Sequence, residues 1–270
     1  MNMRNIQRAP VYAVLSIAAL ISVFPFVWLM IGATNTSADI INGKTSIGNA
    51  LGSNFSKLLE QVNLPQLFWN STEIAIIATF FTLIIASLAG YGFEIFKSKF
   101  SERIFASLLA MLSIPFAALM IPLFVTMAQF HLINTFTAVV IPTVASIFII
   151  FYFRQATKSF PSELRDAARV DGLKEWQIFF HIYVPVMRST YAAATIIIFM
   201  ANWNAYLWPL IVLQTTEMKT ITLAVASLLT AYTPDFGVVM VATTLATLPT
   251  LFIFFVLQKQ FVQGLLGSVK

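Results

Sequence analysis

The chain has 270 residues, 59% of them hydrophobic and 10% charged, with a formal net charge of +5 and a mean hydropathy of +0.83. That composition belongs to a polytopic membrane protein and excludes a soluble domain. The absence of cysteine excludes a disulfide framework and any cysteine-based metal or redox site.

Residues 1–10 carry Arg4 and Arg8, and an apolar run follows over 11–33. The run is long enough to span a bilayer, and no small-residue cleavage site closes it, so it is expected to be a retained first helix with the N-terminus inside. Residues 34–70 are polar and rich in Asn, Ser and Gly, as suits an outside loop with one amphipathic helix near 55–62. Asn42-Gly43-Lys44-Thr45 mimics the end of a nucleotide-binding P-loop. The first glycine of that motif would fall at Ala38, and no strand precedes it, so this stretch is not expected to bind ATP.

Five more spans are predicted, at 71–93, 104–130, 135–153, 190–213 and 236–257. Pro115, Pro122, Pro142 and Pro249 lie within them, and each frees a carbonyl and permits a kink. The basic residues test this layout. Of sixteen, only Lys44, Lys57 and Lys219 fall in expected outside loops, and the other thirteen fall inside. That bias supports six spans with both termini cytoplasmic, and it accounts for the net charge without nucleic acid. With no internal repeat or soluble insert, residues 1–270 read as a single transmembrane domain.

Between spans four and five lies a charged island, residues 154–189, with six of the sixteen basic residues and four of the eleven acidic ones. Ser162 after Pro161 is a helix-start signal and is expected to be the N-cap. Glu163 and Asp166 sit in the first turn, where the helix dipole favours acids. Leu164, Ala167, Ala168 and Asp171 fall at helical spacing, and Gly172 can close the helix in the left-handed conformation. A second short helical segment carries Trp176, Phe179 and Phe180, and Pro185 precedes the next span.

The fifth span contains Asn202, Trp203, Asn204, Tyr206, Trp208 and Pro209. Asparagine in an apolar segment needs a partner or a wet cavity. Amides beside aromatic faces suit a sugar, and they equally suit interhelical packing and an interfacial aromatic belt. In a regular helix, residues two apart point about 200° apart. Only one asparagine then faces a pathway, and Asn204 is expected there because it shares a face with Trp208. Pro209 leaves the carbonyl near Ala205 without its donor and can open the helix, which is the one way both could point inward. Enzyme signals are poor: His131 and His181 fall on opposite sides of the expected membrane and cannot share a metal, and no catalytic motif occurs.

Asp166-Ala167-Ala168-Arg169-Val170-Asp171-Gly172, followed by Trp176-Gln177, Phe179, Ile182 and Pro185, resembles the EAA loop of ABC-importer permeases, in the version typical of maltose-type carbohydrate importers. The first acid is Asp166 where the family has Glu, and Ser189 stands where a second proline is common. Trp203-Asn204-Ala205-Tyr206-Leu207-Trp208-Pro209-Leu210 resembles the W-N-x-[FY]-x-x-P-L signature of the same family. The ending from Gln258 to Lys270 is similar to the family's tail, about one residue shorter and without its final glycine.

The resemblance implies an all-α, six-helix, type I ABC-importer permease fold in the cytoplasmic (inner) membrane. It implies a homologous second permease, two cytoplasmic ATPases that hold ATP and Mg, and an extracytoplasmic solute-binding protein; this chain itself binds no cofactor and is not an enzyme. The coupling residues it implies are Glu163, Asp166, Ala167, Ala168, Asp171, Gly172 and Trp176, with Gly264, Gly267 and Lys270 as the ATPase-contacting tail. The pathway candidates are Asn202, Asn204, Tyr206 and Trp208. The expected cargo is a di- or oligosaccharide, with glycerol-3-phosphate also open. An ATPase-independent transporter or channel is the alternative, but it would need ionisable groups inside the spans, and only Glu73 and Glu94 come near, both at span ends.

Overall fold

The structure is a computed structural model that describes residues 3–267, and within them every regular element is helical. Four apolar stretches are long enough to cross a membrane: Pro10–Ala33, Leu64–Ile95, Phe136–Thr157 and Phe236–Lys259. Two bent pairs, Lys99–Met111 with Phe116–Gln129 (101°) and Glu175–Val186 with Arg188–Trp203 (80°), bring the number to as many as six when each pair is counted as one span. The helices divide between two compact units, Met1–Pro65 with Ala224–Leu248 and Gln66–Leu223 with Pro249–Lys270.

The first unit contains α1 (Met3–Ala33), α2 (Ser37–Ile41), α3 (Leu51–Gln61) and the adjoining parts of α14 (Ile221–Leu229) and α15 (Phe236–Gly267). The expected amphipathic helix is α3, and its Leu58 packs with Ala33, Val238, Val241 and Ala242. The end of α1 leaves carbonyls that need donors. Asn54 supplies them, with Nδ2 donating to Ala33 O at 3.0 Å and to Asn35 O at 2.9 Å. Asp235 ties three helices together. It accepts from Ser37 Oγ (2.7 Å), from Lys57 Nζ (2.9 Å) and from the Gly237 amide at the start of α15 (3.1 Å). The P-loop mimic is a turn after α2, in which Lys44 pairs with Asp39; no strand precedes it among the described residues.

The second unit is built on α4 (Leu64–Ile95), α5 (Lys99–Met111), α6 (Phe116–Gln129), α7 (Phe136–Val144) and α8 (Ile147–Thr157), followed by the loop helices and α12 (Arg188–Trp203). The expected third span is not one straight helix, because the chain turns at 112–115 and Pro115 starts α6. The expected fourth span breaks at Ala145–Ser146, three residues after Pro142, into α7 and α8. Ala86, Phe153, Ala194 and Ile198 pack where α4, α8 and α12 meet. Helix α4 approaches α8 so closely that a Cβ on Gly90 would lie 2.6 Å from Phe153 Cβ and 2.7 Å from the Arg154 amide nitrogen. Small residues one turn apart, Ala86 and Gly90, allow that contact.

Arg154, near the end of α8, is 8% exposed along its side chain and pairs with Glu94 and Glu102, while its guanidinium stacks 4.0 Å from the Phe105 ring. Buried charge persists only when it is paired and hydrogen-bonded, and here one arginine joins α4, α5 and α8.

Candidate functional site

The charged island folds as a short helix, a reversal and a second helical segment. Helix α9 runs from Ser162 to Val170, with Pro161 as its N-cap and no side-chain cap bond. The expected N-cap, Ser162, is instead the first helical residue, because the extended φ/ψ of the cap position falls on Pro161. Gly172 has φ +84, Leu173 N–H donates to Ala168 O and Gly172 N–H donates to Arg169 O, both at 3.0 Å. That pair of bonds is a Schellman closure, which needs a residue free to adopt positive φ.

Helix α10 (Glu175–Ile178) then begins, with Gln177 Oε1 accepting the Lys174 amide at 2.8 Å. It continues through a π-helical turn, Phe179–Tyr183, into α11 (Val184–Val186). The wider turn brings Phe179 and Tyr183 onto one seat. Tyr183 stacks on Phe179 (5.3 Å between centroids), meets Tyr91 edge-on (4.8 Å) and Phe160 (5.3 Å), and shares a 2.7 Å hydrogen bond with Thr157 Oγ1.

Glu175 fastens the two helices together. Its carboxylate accepts from Arg169 (Nε, 2.7 Å), Arg165 (Nη2, 3.2 Å) and the Tyr91 hydroxyl (3.3 Å). One acid therefore joins α9, α10 and the end of α4. Sequence reasoning missed Glu175; the i,i+4 pair Arg165 and Arg169 was the signal available, since two cations on one helical face call for an acid.

Of the expected coupling residues, Ala168 is buried at 3% exposure, and Glu163, Asp166, Ala167, Asp171, Gly172 and Trp176 are exposed. Arg165 and Ala168 thus turn α9 toward the rest of the unit. Its acids lie outside, with Leu164 (41% exposed), Val170 (88%) and Trp176 (58%). Uncovered apolar side chains beside a rim of acids are the features of a protein-docking face. In the tail, α15 carries the backbone unbroken through Gly264 and Gly267, and Lys270 lies outside the described residues.

The second candidate region is a cavity of about 520 Å³ walled by α7, α8, α12 and α13 (Leu207–Val212), with Asn202, Tyr206 and Trp208 on its surface together with Thr82, Thr143 and Ser146. The helix opens before Pro209. Helix α12 stops at Trp203, Asn204 is its C-cap and α13 restarts at Leu207. Proline at the third position of α13 lacks the N–H that would bind the Ala205 carbonyl, which favours a stop there.

Asn204 and Trp208 therefore do not share a helical face. Asn202 lines the cavity and Asn204 is not among its lining residues, a correction to the expected orientation. Asn204 is exposed and donates to Met200 O at 2.8 Å. Trp208 is 4% exposed, and its indole N–H donates to Ala138 O at 2.9 Å. Pro142 cannot supply that carbonyl with its usual i+4 donor, so Trp208 both replaces a missing helix bond and walls the cavity.

With this geometry in hand, comparison with known proteins identifies the chain's relatives. The sequence profile described as "Binding-protein-dependent transport system inner membrane component" matches residues 82–267. The chain is 62% identical over 259 residues to the lactose transport system permease protein LacG of Rhizobium radiobacter, covering 96% of this chain and 95% of that protein. It is 34% identical over 258 residues to the arabinooligosaccharides transport system permease protein AraQ of Halalkalibacterium halodurans, covering 93% and 92%. It is 29% identical over 278 residues to the sn-glycerol-3-phosphate transport system permease protein UgpE of Agrobacterium fabrum, covering 99% of each. Among solved structures, a chain of a bacterial ABC transporter involved in the import of the acidic polysaccharide alginate superposes with a TM-score of 0.76 at 21% identity, over 97% of this chain and 99% of that one. That likeness establishes the fold. The relatives are permease subunits rather than enzymes.

Proposed function

The chain belongs to the family of binding-protein-dependent transport system inner membrane components, and on that premise we propose that it is one of two homologous permeases in an ATP-driven carbohydrate importer. The 62% identity to a lactose permease makes a disaccharide of the lactose type the first candidate. Two cytoplasmic ATPases bind ATP and Mg, one of them docking on α9 and α10 of this chain, and an extracytoplasmic protein delivers the sugar. Both termini lie in the cytoplasm. The cavity beside Asn202 lines part of the pathway, and the α15 tail, including Gly264, Gly267 and Lys270, meets the ATPases.

The observation that carries this reading is the exposed face of α9 and α10, held from behind by Glu175 and presenting Glu163, Asp166, Asp171 and Trp176 outward. A docked ATPase that closes on ATP would move that face as one body, and the π-helical seat on Tyr91 and Thr157 would pass the movement to the helices.

The test is reconstitution of the importer in liposomes, after a binding scan of its solute-binding protein against sugars and glycerol-3-phosphate. Uptake of a disaccharide that requires ATP and the binding protein is the expected result. Uptake that persists without ATP would overturn the coupling role, and a binding protein selective for glycerol-3-phosphate would overturn the sugar assignment.

A further inference from the structure

A recess of about 690 Å³ opens where α4 and α8 end and α5 begins, lined by Lys97, Lys99, Arg103, Arg154 and Lys158 with Ser98 and Glu102. It lies at the charged ends of two apolar stretches, Leu64–Ile95 and Phe136–Thr157, which is the depth of lipid headgroups. Two of the five cations are balanced, Lys97 by Glu94 and Arg154 by Glu94 and Glu102. Lys99, Arg103 and Lys158 have no carboxylate within ion-pair reach among the described residues.

Helix α5 starts at the rim, capped by Ser98, and brings the positive end of its dipole to the same place. Its outer surface carries two neighbouring rows. Lys99 and Arg103 are one turn apart, and Phe100 (73% exposed) and Ile104 (39% exposed) are one turn apart beside them. A soluble anion would use the first row and leave the second in water. A phospholipid uses both, with phosphate on the cations and acyl chain on the apolar row.

We propose that this recess binds the headgroup of an anionic phospholipid of the cytoplasmic leaflet, its phosphate held by Lys99, Arg103 and Lys158 and its chains lying along Phe100 and Ile104. The bound phosphate offsets the repulsion among the three cations. The proposal rests on the membrane-spanning reading and is independent of which solute is carried.

The test compares the purified importer, stripped of lipid in detergent, with its Lys99→Gln/Arg103→Gln/Lys158→Gln variant. Lys219→Gln, in a loop expected on the other side of the membrane, is the control. Each protein is given phosphatidylglycerol, phosphatidylcholine or inorganic phosphate, and the retained lipid is read by native mass spectrometry. Wild type and control should retain phosphatidylglycerol and not phosphatidylcholine. Retention should fall in the variant by roughly fivefold for each cation removed.

Equal phosphatidylglycerol retention by variant and wild type would overturn the proposal. So would inorganic phosphate displacing the lipid at millimolar concentration, which would identify a free-anion site. Loss of an ATPase subunit from the variant with lipid retention unchanged would identify a protein interface and overturn it too. Should the triple variant fail to assemble, Lys99→Gln and Lys158→Gln are read singly, and the absence of any fall in either is decisive against it. Disaccharide uptake by the same proteins after reconstitution in liposomes separates this outcome from a failure of the transport assignment.

Discussion

Glu175→Gln removes one charge from the centre of the loop and leaves its volume unchanged. The Arg169 pair is close (2.6 Å) but 46% exposed on the arginine side, so water screens it to about 0.5 kcal/mol. Arg165 is only 15% exposed along its side chain and lies 5.5 Å from the Phe96 ring. Without Glu175 its guanidinium is left poorly solvated, a cost on the order of 1–2 kcal/mol. Together these give about 2 kcal/mol, which is roughly 30-fold in the equilibrium between docked and undocked α9. The assay is amide hydrogen exchange across residues 160–184 in the assembled importer, with solute moved per ATP hydrolysed measured on the same preparation. Exchange in α9 should quicken by up to that factor, and solute moved per ATP should fall while binding-protein affinity for solute stays constant. Unchanged exchange and coupling would refute the reasoning. An equal rise across α4 and α8 would refute it as well, since it would mean that the acid supports the whole unit rather than the loop.

Gly172→Val places a β-branched residue at φ +84, which costs about 1–3 kcal/mol; uptake should fall with membrane insertion normal, and normal uptake would show that the reversal tolerates a side chain. Gly90→Ala forces α4 and α8 apart by overpacking worth about 1–3 kcal/mol, so the thermal midpoint should drop, and Gly90→Val should drop further. Asn202→Ala should impair uptake more than Asn204→Ala with assembly intact, because only Asn202 lines the cavity; equal uptake by the two variants counts against a cavity role. Burial raises the Asp235 pKa, but hydrogen bonds from Lys57, Ser37 and the Val238 amide outweigh this and hold the carboxyl below its ordinary value. A depressed folded pKa gives stability that is present above the unfolded value near ~4 and is lost as pH falls through the folded one. Asp235→Asn should therefore cost about 1 kcal/mol at neutral pH and converge on wild type below about pH 4, as measured by melting in detergent.

The short helix of the loop and its closure at Gly172 could be read from the chain because both are local: a proline start, an acid in the first turn and a glycine at the right offset act over ten residues. That first turn holds Glu163 alone, and the expected second acid, Asp166, falls beyond it. The apolar runs were legible for the same reason, since a span is recognised by length and composition. Gly172, which can close the helix in the left-handed conformation, does so with φ +84. The helices break at Ala145–Ser146 and at Asn204–Tyr206, each near a proline that permits a kink. The prolines were visible, but whether a freed carbonyl bends, breaks or finds a new donor depends on a distant residue, as Ala138 does on Trp208 seventy positions on.

The same limit explains what the sequence did not disclose about the site. Glu175 meets Tyr91 across 84 residues, and Arg154 meets Glu94 across 60 and Glu102 across 52. No periodicity encodes such partners, because side-chain pairing is decided by which helix ends the packing brings together. By itself the sequence determined the membrane class, the charged loop between the fourth and fifth apolar runs, and the glycine that reverses it, all properties of short windows. Only the tertiary structure decided which acid fastens that loop, which asparagine lines the cavity and which cations of α5 and the end of α8 have no carboxylate in ion-pair reach among the described residues, because each depends on the approach of segments far apart in the chain.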